Sequence, residues 1–323
     1  MFTRRAFGKA AGAALALSQL RPLDLLAQGA APMAPVNSSI EGVLMGVQSA
    51  SFTFSGMGIP DIIKTMRAVG LSSLDCMSEH VENFLGAPVP LPGTGRPGPW
   101  VPRPPRPAGS PPSFPKPDPA KREALRQWRL QADTAKFQQV GKMFTDAGLT
   151  FFSYNLSFDD SFTDAEIEKG FLMTKALGTR IITASSPVEV FPRLKPFAEK
   201  HDVIVALHNH TIGPKDFEQA VALSDKFWIN LDVGHFFASG HDPVAFLKEH
   251  HARITNVHIK DRKSHGGESV PFGDGETPLP AVFHLIKSEH YTFPANIEYV
   301  GPAGPPIELA SCLQYCKDTI KSV

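Results

Sequence analysis

Histidines and carboxylates recur in four short strings of the C-terminal half: His208-Asn209-His210, Asp232-Val233-Gly234-His235, His258-Ile259-Lys260-Asp261-Arg262 and Asn296-Ile297-Glu298. Imidazole nitrogen and carboxylate oxygen together suit a divalent ion of the Zn, Mn, Co, Ni or Fe type, whereas an all-oxygen shell would favour Mg or Ca. Taken singly, each residue reads as a capping Asp or a core histidine. Taken jointly, they are hard to explain as packing, because buried unpaired charge is expensive. Asp232, His258 and Glu298 are therefore candidate ligands of one ion. Lys260 and Arg262 add two cations. Lys is the better candidate for chemistry, since burial beside a metal can lower its pKa toward neutrality, while Arg stays charged and orients oxygen groups. Asp261 is expected to orient a neighbour. Asp75, Glu79 and His80 form a further polar string, either facing the site or belonging to a loop.

Those strings need elements that bring them together. Short apolar runs alternate with amphipathic stretches in a strand-then-helix rhythm. Strands are expected over 43–48, 71–77, 150–155, 180–184, 203–208, 227–232, 255–260 and 295–299. Helical patterns lie over 59–69, 120–147, 164–177, 188–200, 215–223, 243–249, 279–288 and 307–320. Eight of each argue for a closed (β/α)8 TIM barrel, which points every strand end at one mouth. The glycine signature of an open dinucleotide-binding sheet is missing. Asp242 before Pro243 reads as a helix N-cap, and Phe236 and Phe237 as packing or as a stacking surface for a ligand ring. Residues 88–119 are so rich in proline that neither ladder nor helix is expected. They form a loop insertion after the second strand, on the face where barrels carry their sites, and Trp100 and Phe114 within it suit a lid, an extended loop or a subunit contact.

Composition narrows the function classes. With 32 basic and 32 acidic residues, the chain lacks the basic footprint that nucleic acid requires. A small, uncharged or mildly polar substrate fits better. Three cysteines, Cys76, Cys312 and Cys316, are too few for a disulfide framework. Cys312 and Cys316 lie four apart in a helical pattern and read as unpaired helix cysteines. At the N-terminus, Thr3-Arg4-Arg5-Ala6-Phe7-Gly8-Lys9 precedes an Ala-rich apolar stretch and a small-residue run near Ala27 to Ala31. This pattern is expected to be a twin-arginine (Tat) export signal over residues 1–31, with a linker over 32–40 and the barrel over 41–323. The apolar stretch is too short for a membrane anchor. The expectation is a periplasmic or secreted protein, handed to the Tat machinery already folded; a homo-oligomer is left open.

The strings HNH, LDVGHFFASGHDP, VHIKDR and IEY, in that order and at those strand ends, resemble the xylose-isomerase-like TIM-barrel superfamily of sugar isomerases and epimerases. The resemblance covers the chain from about Glu41 onward, outside the proline-rich insertion. It implies that Asp232, His258 and Glu298 are three of four metal ligands. Many members place a glutamate at the fourth position, where this chain has His208, so the resemblance makes His208 the fourth ligand, with His210 as substrate contact or substitute. It also makes His235 a substrate-binding residue. Lys260 and Arg262 would join it there. The implied chemistry is proton removal beside a carbonyl of an unphosphorylated sugar or keto-sugar, giving an enediolate that is reprotonated. Epimerases of this type use two opposed glutamates, and one is a histidine here. Glu298, His210, His235 and Lys260 are left as candidate proton carriers. The alternatives are a lyase or hydratase of keto-glycosides and a catalytically silent sugar-binding barrel.

Overall fold

Alternation along each strand decides the architecture. Val43, Met45 and Val47 are fully buried in the hydrophobic core, as are Leu74 and Cys76, Val205, Ile229 and Leu231, Val257 and Ile259, and Ala295 and Ile297. The residues between them are small or polar: Gly46, Gln48, Ser73, Asp75, Ser153, Thr183, Ala206, His208, Asn230, Asp232, Asn256, His258 and Asn296. Successive side chains of a strand point to opposite faces, so the apolar set packs under helices and the polar set fills the barrel.

The computed structural model describes residues 32–94 and 118–323, of which Ala34–Val323 form one compact unit. The strands are β1 (Ser39–Ile40), β2 (Val43–Gln48), β3 (Ser73–Met77), β4 (Thr150–Asn155), β5 (Ile181–Ala184), β6 (Ile204–His208), β7 (Phe227–Asp232), β8 (Ile254–Ile259) and β9 (Ala295–Ile297). β2 to β9 pair in sequence order, all parallel, and β9 closes back on β2. This is the expected eight-stranded barrel. β1 is an addition, antiparallel to β2. It belongs to a stretch expected to be a linker, yet the Ser38 hydroxyl is buried and donates to Met45 O at 2.6 Å, and Val36 N donates to Gly148 O at 2.9 Å.

The helices are α1 (Ile59–Val69), α2 (Ser78–Phe84), α3 (Pro119–Gln131), α4 (Thr134–Asp146), α5 (Asp164–Ala176), α6 (Phe191–His201), α7 (Pro214–Ala222), α8 (Val233–Ala238), α9 (Pro243–His250), α10 (Leu279–Ser288) and α11 (Pro305–Ser322). Two departures from the sequence expectation matter. The single helix expected over 120–147 is broken at Ala132, whose backbone is extended, and restarted by Asp133, whose side chain accepts from Ala135 N at 2.9 Å. α2 and α8 are short helices directly after strand ends, so Glu79, His80 and His235 sit in first helical turns rather than in open loops. Of the proline-rich stretch, residues 88–94 and 118–119 are described, and Asp118 caps α3. Trp100 and Phe114 lie outside the described residues. Cys312 and Cys316 are free and buried on α11. Among the described residues, no helix is long and apolar enough to cross a membrane.

TIM-barrel interiors are usually filled by bulky branched side chains. This one is polar. Asn296 reaches across the space that Gly46 leaves, since a Cβ on Gly46 would lie 2.1 Å from Asn296 Oδ1 and 2.7 Å from the Ser73 carbonyl. The polar layer continues upward into the site.

Candidate metal centre

Asp232 ends β7 and caps α8, and that double role orients it. Its Oδ1 accepts from His235 N at 2.7 Å, which leaves Oδ2 facing the barrel axis. Asn209 locks the backbone beneath: its Oδ1 accepts from Asp232 N at 2.8 Å and its Nδ2 donates to Asp232 O at 3.0 Å. The end of β6 is thereby tied to the end of β7. One strand before, His208 Nδ1 meets Asn230 Oδ1 at 2.5 Å, so that Nε2 is its outward atom. On β8, His258 directs Nε2 at Asp75 Oδ2, 2.8 Å away, and Nδ1 at Glu298 Oε2, 3.0 Å away. Glu298 follows β9, held by a further ladder bond from its own N–H to Ile259 O.

One donor atom from each of His208, Asp232, His258 and Glu298 lies within 4.8 Å of the others. This is the four-residue set that the sequence and the resemblance suggest. His210 stands outside it. Its ring stacks on His235 at 4.9 Å with an interplanar angle of 11°, and Nε2 lies 3.3 Å from Ser185 Oγ. Two buried atoms of the set, Asp232 Oδ2 and His258 Nδ1, complete no hydrogen bond. Their nearest charged neighbours are Lys260 Nζ at 3.2 Å and Glu298 Oε2 at 3.0 Å. A buried carboxylate oxygen with no hydrogen bond, Asp232 Oδ2, facing the same point as three further ligand-type side chains is what a cation site requires, and two imidazoles with two carboxylates are the donor set of a borderline divalent ion.

The electrostatics separate the histidines. Burial, then the neighbouring His258, push the His208 imidazole well below its ordinary range; burial with Lys260 does the same for His235 and lowers His210. Neutral imidazole is the coordinating form. Burial alone would raise the Glu298 carboxyl, but the Lys260 ammonium and His258 outweigh it and hold it well below the carboxylate range. For His258, burial is overcome by the Asp75 and Glu298 carboxylates, which lift it to about 9, so here it is a cation between them and must release its Nδ1 proton to coordinate.

Lys260 departs from the expectation of a lowered pKa. Burial does act downward, but Asp232 and Glu298 more than offset it and the ammonium is held up. Its Nζ sits 2.5 Å from Glu298 Oε1 and 3.0 Å from His235 Nε2. Gly234 permits this approach: a Cβ there would lie 2.4 Å from the Lys260 carbonyl, so α8 packs directly on the end of β8. Arg262 donates Nη1 to His235 Nδ1, while its Nε and Nη2 donate to Gly267 O. His235 is thus gripped by two cations. A neutral ring has one acceptor nitrogen, so only one of them can donate to it at a time.

The remaining sequence candidates find other places. Asp261 turns away from the mouth and accepts from Gly273 N, Gly275 N and Thr277 N at 2.9, 3.0 and 3.3 Å, pinning the loop after β8. His80 reaches Ser49 O at 3.3 Å and Glu79 accepts from Ser78 Oγ. Asp242 caps α9 as expected. Phe236 is buried against Phe217 and Phe246, which makes it packing. Sequence reasoning passed over Asn209 and Asn230, whose roles depend on neighbouring strands and leave no local pattern.

Comparison with known proteins agrees with the fold. The inosose dehydratase 2 of Bacillus cereus is 25% identical over 123 residues, a match spanning 33% of this chain and 41% of the dehydratase. The chain thus matches under half the length of that curated relative. Among solved structures, a xylose isomerase domain protein from Planctomyces limnophilus superposes with a TM-score of 0.59 at 15% identity, over 87% of this chain and 98% of that one. The IolI protein, with a zinc atom bound, superposes with a TM-score of 0.57 at 14% identity, over 87% and 97%. An L-ribulose 3-epimerase does so with a TM-score of 0.55 at 14% identity, over 87% and 95%. The xylose isomerase-like TIM barrel family matches residues 107–316, most of the sequence, and this chain belongs to that family.

Proposed function

We propose that the chain is a metal-dependent isomerase or epimerase of an unphosphorylated sugar or keto-sugar. The observation that carries the reading is the convergence of His208, Asp232, His258 and Glu298 from four adjacent strands, two of them with buried atoms that no hydrogen bond uses. A Mn, Zn, Co, Ni or Fe ion held there supplies the Lewis acidity that makes a C–H beside a carbonyl acidic. The protein's own residues divide the rest of the work. His210 and His235, kept neutral, accept or pass a proton and hydrogen-bond substrate hydroxyls. Arg262 holds the His235 ring in place. Lys260 lies beside the four donors with its ammonium on Glu298 Oε1, from where it would give a proton to a substrate oxyanion formed there and take the same proton back when that oxygen becomes a carbonyl again. Proton return to the same carbon gives the epimer, and return to the neighbouring carbon gives the isomer.

Elimination is the second reading, favoured by the similarity to an inosose dehydratase. There the same proton removal is followed by loss of a β-hydroxyl, with Lys260 supplying its proton. Incubating the metal-loaded protein in heavy water with a panel of unphosphorylated sugars and keto-glycosides separates the two. Deuterium entering recovered substrate or its epimer supports the first. Loss of water to an unsaturated ketone supports the second. No exchange and no loss across the panel would leave the silent sugar-binding barrel.

The N-terminal pattern around Arg4 and Arg5 supports export of the folded protein by the twin-arginine route, with the mature chain starting after about residue 31. Replacing both arginines by lysine should keep the protein inside the cell. Undiminished export of that variant would remove the assignment.

A further inference from the structure

His258 differs from the other histidine of the four-donor set in what stands behind it. His208 leans on Asn230, a neutral amide, through Nδ1. His258 leans on Asp75, a carboxylate with no solvent exposure, through Nε2. Asp75 comes from β3, on the far side of the interior. It gathers three side chains from three other strands: Thr183 Oγ1 donates to Oδ1 at 2.7 Å, and Gln48 Nε2 and His258 Nε2 face Oδ2 at 3.2 and 2.8 Å. An ionised carboxylate only accepts, so His258 keeps a proton on Nε2, and Nδ1 is the nitrogen it can free for the centre. Asp75 is not itself one of the four donors.

We propose that Asp75 is the positioning residue of the metal centre: an anionic brace that fixes His258 to bind through Nδ1 and strengthens it as a donor, while His208, backed only by Asn230, binds through Nε2. The inference rests on the metal reading above and adds an asymmetric histidine pair to it. A carboxylate behind a ligating imidazole raises its basicity and fixes its ring, and loss of such a partner commonly lowers metal affinity about 10- to 100-fold.

Two measurements test it. Ring 15N NMR of the zinc-loaded, histidine-labelled wild type should show one ligand bound through Nδ1 with its proton on Nε2, and the other with the reverse pattern. Two ligands bound through the same nitrogen would overturn the proposal. The second is cobalt(II) titration with chelator competition and visible spectroscopy, comparing wild type, Asp75→Asn and Thr183→Val. Asp75→Asn retains an oxygen acceptor and the shape but loses the charge, so it should bind cobalt about 10- to 100-fold more weakly with a shifted spectrum. Thr183→Val removes a hydrogen bond to Asp75 without touching His258, and should lower thermal stability while leaving the spectrum unchanged. Equal affinity and spectrum in Asp75→Asn would reduce Asp75 to a strand tie and leave the metal reading standing. A wild type that takes up neither cobalt nor zinc would end both.

Discussion

At the scale of single residues, this site turns on which atoms are already spoken for. Asp232 spends one oxygen on its helix cap and keeps the other for the centre. The same economy explains why residue type was legible in the sequence and role only partly so. Asp232, His258 and Glu298 are polar at strand ends, where a barrel gathers them, and that is visible in one dimension. Whether His208 or His210 joins them is not, because residues two apart share a face of a strand and only the rings' neighbours separate them: Asn230 and His258 for the first, His235 and Ser185 for the second. The state of Lys260 was also hidden, since it depends on two carboxylates brought from other strands. Lys260 lies beside the four-donor set without belonging to it. Lys260→Met is therefore expected to retain metal stoichiometry while turnover falls about 10²- to 10⁴-fold, the usual worth of a positioned proton carrier. Metal analysis alongside steady-state rates checks this, and unchanged turnover would remove lysine from the chemistry.

At the scale of elements, the strands were read well because their alternation is strict, and three of the expected ranges, 43–48, 150–155 and 227–232, match to the residue. The helices around the proline-rich stretch were read less well. The reason lies in how α3 is held. Its only buried residue is Arg129, so no apolar stripe announces it. Arg129 donates in bidentate fashion to Glu82 of α2 at 2.7 and 3.0 Å, and to Glu166 of α5 at 3.0 Å, with Arg122 on the other Glu166 oxygen at 2.6 Å. Charges from three elements thus replace a hydrophobic seam, and no periodicity records them. Removing one partner of a buried pair strands the others in low dielectric. Arg129→Met should cost about 3–5 kcal/mol in denaturant unfolding. A loss below about 1 kcal/mol would mean that Arg122 and Arg126 take over the duty.

At the scale of the whole molecule, folding stability should carry the signature of a buried neutral histidine away from the centre. Burial pushes the His80 imidazole from its ordinary 6.5 down to about 4, with its Nε2 facing the Ser49 carbonyl. The folded pKa lies below the unfolded one, so below pH 6.5 the unfolded chain binds the extra proton. This histidine's contribution is fully present above about pH 6.5 and is lost as pH falls toward 4, on the order of 3 kcal/mol over that window. His80→Gln should flatten that part of the profile, measured as the difference in unfolding free energy between the two proteins from pH 4 to 7. A pH-independent difference would contradict it. The central claim for the molecule is that four strand ends hold one divalent ion, and its most direct test is the metal content of protein folded in the cytoplasm, wild type against Glu298→Gln. About one borderline divalent ion per wild-type chain is expected, with the variant folded, depleted of metal and unable to exchange a substrate proton with heavy water. A wild type that neither retains nor takes up such an ion, or a Glu298→Gln protein with full metal and full exchange, would contradict it.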